Sequence, residues 1–313
     1  MFLPIVSLIR AVPFFRAAAW KIAVLAVLLA LTTPVLLSAF PRTVEDGLGV
    51  EIVLEEPPQR IFSAGLAMDN IVLSIVDPAR VVGVTTYAAD PAWSYVDDKI
   101  GDHMVQIEQL DPELVLGAEP DIVLVAVWSD QDAVEQLRDL GVAVYTFTDF
   151  GGVDDAMENI IRIGEITGND EEAEKLVADF NSSYDRIAGA IEGRSRPDVL
   201  PLNSWGTTAG ADTSIHDVIE MAGGRNVAAA EGIEGWQEVN EEAIISFAPE
   251  IIVTASEPEY AEEIRNDPVL QAVPAVRDGR VYSIDHAEAL NHHYIRAIES
   301  LAEILHPEAF EDG

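Results

Sequence analysis

The sequence PDIVLVA at residues 120–126 and the sequence PEIIVTA at residues 249–255 are two versions of one pattern. Each consists of a proline, an acid, a run of mostly β-branched residues and an alanine. Each is followed by a second strand-like segment with a Val-Tyr pair, at 144–146 and at 281–283. Continuous apolar runs between chain-breaking residues are typical of strands buried on both faces of a parallel sheet. The repeat therefore predicts two similar α/β lobes with a cleft between them.

Strand and helix patterns alternate through the rest of the chain. The sequence predicts a strand at 81–85, a helix at 131–140 and another strand at 142–147. Strict alternation of this kind favours βαβ units and parallel sheets. We therefore place one Rossmann-like lobe at 43–168 and a second at 194–313.

Residues 169–193 predict one long helix that joins the lobes. Asn169 and Glu172 have the spacing of a capping box, and acids fill the first turn. Apolar residues then recur at helical spacing from Ala173 to Ile191. A single helix of this length between two lobes predicts a rigid connector.

The first 42 residues differ from the rest of the chain. They carry four basic residues and no acid, and residues 22–40 are largely apolar. A basic segment followed by an apolar core is typical of an export signal, and nineteen residues also suffice for a retained membrane anchor. Because the basic residues lie on the N-terminal side of the apolar segment, the bulk of the chain is expected outside the cytoplasm. We expect a periplasmic or cell-surface protein, whose leader is either cleaved or retained as a membrane tether through residues 22–40.

Composition excludes several classes of function. The formal net charge is -37, which repels phosphate backbones and makes nucleic acid a poor partner. The chain has no cysteine, so it has no disulfide and no thiolate metal site. Lysine is scarce beside arginine, which fits either a salt-rich habitat or an ordinary acidic solvated surface.

Catalytic signatures are missing from the sequence. It contains no Gly-x-Ser-x-Gly elbow, no phosphate-binding loop, no His-Glu-x-x-His motif and no Gly-x-Gly-x-x-Gly motif. We therefore expect a protein that is not an enzyme and that has no resident cofactor. A metal-dependent enzyme built on His286, His292 and an aspartate is the alternative within the enzyme class.

Five segments in order resemble one family. They are PQRI at 58–61, RVVGVT at 80–85, EPDIV at 119–123, AGGRNV at 222–227 and RVY at 280–282. Together they resemble the iron–siderophore and cobalamin solute-binding proteins of ABC importers. The resemblance implies the class III fold, in which two lobes and one rigid helix enclose a ligand. It also implies a monomer that captures a metal chelate and delivers it to ABC permease subunits.

The resemblance implies three candidate ligands. A cobalamin-like corrinoid or a ferric siderophore comes first, and haem comes next. A binding module tethered to the membrane for sensing, without a transporter, is a further alternative.

Ligands of parallel α/β lobes meet the loops at the carboxyl ends of the strands. Aromatic residues and histidines in those loops are our candidates for ligand binding, because flat rings suit a broad and partly apolar ligand. They are Tyr87, Trp128, Trp205, Trp236, Tyr260, His286 and His292. Trp128 follows the first copy of the repeat, whereas Ser256 and Glu257 follow the second. We therefore expect an aromatic wall on the N-terminal lobe and a more polar wall on the C-terminal lobe.

The same loops contain no lysine and no arginine. An anionic ferric catecholate or citrate would need arginines to balance its charge. This absence favours a neutral or cationic ligand, such as a corrinoid or a hydroxamate chelate. Arg296, on the helix after the last loop, is the one cation expected within reach.

The remaining candidates concern metal binding and docking. The resemblance implies that His103 is a metal or haem ligand, with His286 or His292 opposite it. It also implies that one acid early in the first helix of each lobe docks on the permease. The candidates are Asp69 in the N-terminal lobe and Asp217 and Glu220 in the C-terminal lobe.

Overall fold

The computed structural model describes residues 40–255, 258–285, 287–289 and 291–310. The predicted leader at 1–42 lies almost wholly outside these residues, and so does the apolar stretch up to residue 39. Within the described ranges, no helix has both the length and the apolar character needed to cross a bilayer.

The N-terminal lobe contains a five-stranded parallel sheet in the order β5-β4-β3-β6-β7. Its strands are β3 (Ile61–Ser63), β4 (Val81–Thr85), β5 (Val105–Ile107), β6 (Ile122–Ala126) and β7 (Val144–Phe147). A small antiparallel hairpin, β1 (Arg42–Glu45) with β2 (Glu51–Leu54), precedes it. The first copy of the repeat forms β6, and every residue of that strand is buried. The strand predicted at 81–85 is confirmed.

The C-terminal lobe contains a four-stranded parallel sheet in the order β10-β8-β12-β13. Its strands are β8 (Asp198–Leu202), β10 (Arg225–Asn226), β12 (Ile251–Thr254) and β13 (Val281–Ser283). The short strands β9 (Thr207–Ala209) and β11 (Trp236–Glu238) pair beside it. The second copy of the repeat forms β12, which is also buried throughout. Each copy pairs in parallel with the strand that carries the Val-Tyr pair. The two parallel-sheet lobes are therefore confirmed.

Helices cover both faces of these sheets. In the described residues they are α1 (Leu66–Ile75), α2 (Pro112–Gly117), α3 (Gln131–Asp139), α4 (Val153–Thr167), α5 (Asp170–Ile191), α6 (Ser214–Met221), α7 (Val227–Ala230), α8 (Glu241–Phe247), α9 (Pro258–Asn266), α10 (Pro274–Arg277) and α11 (Tyr294–Leu305). Asp130 caps α3 by accepting hydrogen bonds from the amides of Asp132 and Ala133. The predicted helix after the first repeat is thus confirmed.

Two helices, rather than one, join the lobes. Helix α5 is present as predicted and is about 33 Å long. The preceding helix, α4, packs against α5 and runs in the opposite direction. At its start, α4 contributes Val153 and Ala156 to the same hydrophobic cluster as Val218 of the C-terminal lobe. Near its far end, α5 contributes Ile187 to that cluster. The connector is therefore a helical hairpin whose two open ends lie in the C-terminal lobe.

The closed end of this hairpin is held by the N-terminal lobe. Arg80 donates hydrogen bonds to the carbonyl of Thr167 (2.7 Å) and to the side-chain oxygen of Asn169 (2.9 Å). The predicted capping box is therefore wrong, because the Asn169 side chain makes no cap hydrogen bond to α5. Arg42 adds a two-pronged ion pair with Asp170 at 2.8 and 3.0 Å. Two arginines thus fix the turn of the hairpin.

Asp69 lies inside the N-terminal lobe. Its side chain is fully buried, and it accepts hydrogen bonds from the hydroxyl (2.5 Å) and the amide (3.1 Å) of Thr85. A buried carboxylate cannot meet an arginine of another protein, so the structure removes Asp69 from the docking candidates. Burial raises the pKa of Asp69 to about 7, although the hydrogen bonds from Thr85 oppose this rise.

We expect Asp69 to make the free energy of unfolding depend on pH. Its folded pKa lies above the unfolded value of 3.8, so the folded state keeps this proton between pH 4 and 7 while the unfolded state loses it. Its contribution to stability should fall across that window, by at most about 4 kcal/mol. Urea unfolding at several pH values in constant high salt, for the wild type and Asp69→Asn, measures this. The two proteins should differ in slope, and equal slopes would contradict the assignment.

Candidate functional site

A cleft of about 960 Å³ lies between the lobes, at the carboxyl ends of strands from both sheets. This volume is near the upper end of the range for small-molecule sites. Aromatic side chains from both lobes line it. They are Trp93, Trp128, Phe150, Trp205, Trp236 and Tyr294.

The N-terminal wall carries three of these rings. Trp128 follows β6 and is 68% exposed, and its ring packs against that of Phe150 with centroids 4.4 Å apart. Trp93 lies in the loop after β4, where the Tyr87 ring meets it edge-on at 5.7 Å. This wall is aromatic, as the sequence predicts.

The C-terminal wall is also aromatic, which corrects the prediction of a polar wall. Trp205 is 79% exposed, and it sits in a tight turn that the Asn203 side chain closes by accepting two hydrogen bonds from backbone amides. Trp236 is 57% exposed and begins β11, which pairs with β9 beside that turn. The prediction failed because it considered only the loop after β12. The aromatic residues come instead from the turn before β9 (Trp205), from β11 (Trp236) and from the start of α11 (Tyr294).

Charge is nearly absent from the cleft surface. Among the described residues that line it, Asp285 is the one charged side chain, and none is lysine, arginine or histidine. Asp285 accepts a hydrogen bond from the Ala287 amide (2.9 Å) and one from the Tyr95 hydroxyl (3.4 Å). Arg296 is not among the residues that line the cleft, and its guanidinium lies 4.5 Å from the centre of the Tyr95 ring. The Tyr95 hydroxyl in turn contacts the cleft residue Asp285, so the expectation that Arg296 reaches the ligand stays a prediction.

Three further predicted ligand contacts have other positions. The Tyr87 ring contacts the Trp93 ring edge-on, and Tyr87 does not line the cleft. Tyr260 packs against a core cluster of the C-terminal lobe. His292 is buried, with its Nε2 atom 3.3 Å from the Ser74 hydroxyl near the end of α1. Since the cleft meets α1 at Ala67, His292 lies about 10 Å along that helix from the cleft. The predicted residue His286 lies outside the described residues.

The histidines do not form a metal site in the described part of the chain. His103 is exposed, and its Nε2 atom lies 3.2 Å from the carbonyl of Pro78, just before β4 begins. That position is at the amino end of the sheet, whereas the cleft is at the carboxyl end, so His103 does not reach the cleft. Burial lowers the pKa of His292 to about 3 and that of His293 to about 4, so both are neutral at pH 7. No group of three or more metal-binding side chains occurs among the described residues.

The two docking candidates of the C-terminal lobe have partners within the chain. Asp217 accepts a hydrogen bond from the Val153 amide at 2.8 Å, where α4 packs into the C-terminal lobe. Glu220 pairs with Arg196 and accepts a hydrogen bond from the Asn226 amide. The role of these two carboxylates in docking stays a prediction.

The predicted site residues do not include Trp93, Phe150 and Tyr294, which line the cleft. Trp93 and Phe150 lie in loops at the carboxyl ends of predicted strands, which are the loops where ligand contacts were expected. Tyr294 begins α11 and belongs to a hydrophobic core cluster as well as to the cleft. No sequence pattern separates these two roles.

Comparison with known proteins gives consistent matches over most of the chain. Residues 61–288 match the family model described as periplasmic binding protein. The ABC transporter substrate-binding lipoprotein YvrC of Bacillus subtilis is 27% identical over 285 residues, which cover 87% of this chain and 88% of YvrC. The cobalamin-binding protein of Halobacterium salinarum is 28% identical over 275 residues, or 84% of this chain and 73% of that protein.

Among solved structures, that of Helicobacter pylori CeuE in a nickel–histidine complex is similar in fold. Its TM-score is 0.73 at 23% identity, and the match covers 87% of this chain and 90% of CeuE. The two-lobed architecture is therefore shared with a solved protein.

The exposure of the cleft tryptophans predicts how acrylamide quenches their fluorescence. Trp205 is the most exposed of the large hydrophobic side chains in the described residues, so Trp205→Phe should remove much of the readily quenched fluorescence. The matched control is Trp93→Phe, since Trp93 is partly buried. Stern–Volmer plots for the two variants measure the difference. Equal losses of the quenchable fraction would contradict the geometry of the cleft.

Proposed function

The chain belongs to the periplasmic binding protein family, whose members serve ABC importers as extracytoplasmic substrate-binding components, and from this membership we propose that its cargo is a cobalamin-like corrinoid. Family membership establishes the solute-binding role. The identity of the cargo is the step that we add. The observation that supports it is the cleft, where both lobes contribute aromatic rings to the lining and no described lining residue is cationic.

The aromatic walls favour a broad ligand with apolar faces. Trp128 on one lobe and Trp205 and Trp236 on the other line the cleft, and each is more than half exposed. Burying large rings against a flat ligand removes much apolar area from water with little loss of side-chain entropy. A corrin ring offers such a face, and the Halobacterium relative is named as a cobalamin-binding protein.

Electrostatics weigh against an anionic chelate. Asp285 is the one charged lining residue, and the whole chain carries a net charge of -37. A ferric catecholate or citrate would meet this negative field without an arginine to bind its oxygens. A ferric hydroxamate of neutral or positive charge remains compatible with the cleft and is the second candidate.

Haem and free metal ions have less support than chelates. The carboxylates of haem would lack a cationic partner among the described lining residues, and none of those residues is a histidine. The pair formed by His103 and His292 is not present at the cleft. We therefore place the haem and metal-ion alternative behind the two chelates.

The remaining features of the proposal concern the setting of the protein. ABC permease subunits are the partners of this family, and the location is extracytoplasmic. We further propose that the protein acts as a monomer, without catalysis, and that residues 22–40 retain it at the membrane. Western blotting of washed membranes, with and without detergent, tests the tether.

Isothermal titration calorimetry tests the cargo directly. The probes are cyanocobalamin, a cationic ferric trihydroxamate, ferric citrate and haemin. We expect cyanocobalamin to bind at least about tenfold more tightly than ferric citrate, because the latter must enter a negative cleft without a counter-charge. Tight binding of ferric citrate together with no heat from cyanocobalamin would refute the corrinoid proposal.

Trp205 should contribute strongly to affinity for cyanocobalamin. Trp205→Ala removes an exposed ring from one wall, so folding should be unaffected while the dissociation constant rises about tenfold. Leu140→Ala is the matched control, because Leu140 is 58% exposed and lies outside the cleft. An unchanged dissociation constant in Trp205→Ala would show that this wall does not contact the ligand.

A further inference from the structure

Helix α4 begins at the boundary between the lobes without a cap of its own. Its N-cap residue is Gly152, which has no side chain to accept a hydrogen bond from the first amides. Uncapped amides at a helix start are costly when they are partly buried, and they carry a partial positive charge. The missing acceptor comes from helix α6 of the C-terminal lobe, where the Asp217 carboxylate lies 2.8 Å from the Val153 amide.

The glycine at this position makes room for Asp217. The backbone φ of Gly152 is -161°, an extended conformation that any residue can adopt, so the backbone angle does not require a glycine. A side-chain carbon added at Gly152 would instead lie 2.2 Å from the Asp217 carboxylate oxygen. Space for the carboxylate is therefore the physical reason for a glycine here.

The contact lies beside the ligand cleft. Gly152 and Ala156 of α4 line the cleft, and so do Ser214 and Ile215 of α6, the helix that carries Asp217. Val153 and Ile215 also belong to one hydrophobic cluster. The hydrogen bond thus joins the two helices that form neighbouring parts of the cleft surface.

Other acids near the helix start do not replace this cap. Asp155 accepts a hydrogen bond from the Gly151 amide at 2.6 Å, and Asp154 is exposed. Both carboxylates oppose the charge of Asp217 and, with burial as the main cause, raise its pKa. The position of Asp217 is held against this repulsion by the hydrogen bond and the helix terminus.

We propose that Asp217 is a positioning residue that caps helix α4 where the connector enters the C-terminal lobe, and that it thereby fixes the spacing between the two aromatic walls. Its effect on ligand affinity rests on the proposed function, whereas its effect on lobe spacing does not. The same carboxylate is then unavailable for docking on a permease.

The absence of cysteine allows a direct test with paired spin labels. Cysteines at the exposed positions Glu135 on α3 and Glu242 on α8 report the distance between the lobes by pulsed electron paramagnetic resonance without ligand. We expect Asp217→Ala to broaden the distance distribution. Asp217→Asn should keep the wild-type distribution, because the amide oxygen still accepts the hydrogen bond. Asp154→Ala is the matched control, since it removes a carboxylate from the same helix end and leaves the cap intact.

Calorimetry with cyanocobalamin supplies the second readout. Asp217→Ala should bind about tenfold more weakly than the wild type, and Asp217→Asn within about twofold of it. If Asp217→Ala does not fold, Gly152→Ala displaces the carboxylate by adding one methyl group and should reproduce the broadened distances. Unchanged distances in both variants, or equal broadening in Asp154→Ala, would overturn the proposal. If the wild type does not bind cyanocobalamin but the distances respond as expected, the cargo proposal fails and the positioning role stands.

Discussion

The helical hairpin of α4 and α5 is the constraint on which the rest of the structure depends. Its turn is fixed to the N-terminal lobe by Arg80 and Arg42, and its open ends enter the hydrophobic core of the C-terminal lobe. Two helices packed together resist bending and twisting more than one helix does. A hairpin that is fixed to one lobe at its turn and to the other lobe at its open ends is therefore expected to hold the lobes at one spacing.

The fixed spacing between the lobes governs how the cleft selects its ligand. We expect the space that the tryptophans line to keep its size when the ligand binds, so that little ordering entropy opposes association. The absence of cations from the described lining residues leaves shape and apolar area as the main sources of selectivity. Asp285 adds one acceptor at the rim. A rigid and nearly uncharged cleft within a strongly acidic chain favours a broad ligand that is neutral or positive.

Much of the fold could be predicted from the sequence, because local patterns carry the information. The two Pro-acid-strand repeats became β6 and β12, since buried parallel strands need continuous apolar runs. The long connecting helix was likewise visible as a periodic stripe. Its partner α4 was not predicted. The hydrogen bond from Arg80 to the Asn169 side chain, which joins residues 89 positions apart, was not predicted either. Contacts between residues that are far apart in the sequence produce no local sequence pattern.

The candidate site was partly predictable for the same reason. Loops after strands can be read from the sequence, and Trp128, Trp205 and Trp236 do line the cleft. The docking acids could not be judged, because burial of Asp69 and the bond between Asp217 and Val153 depend on packing between elements. His103 was placed by resemblance, although its position before β5 sets it at the amino end of the sheet.

Small-angle X-ray scattering with and without saturating cyanocobalamin tests the central claim that the hairpin holds a preformed cleft. The scattering curves of the free and the bound protein should superimpose, with equal radii of gyration. A decrease in the radius of gyration of more than about 1 Å on binding would show that the lobes close on the ligand. That result would contradict the rigid connector.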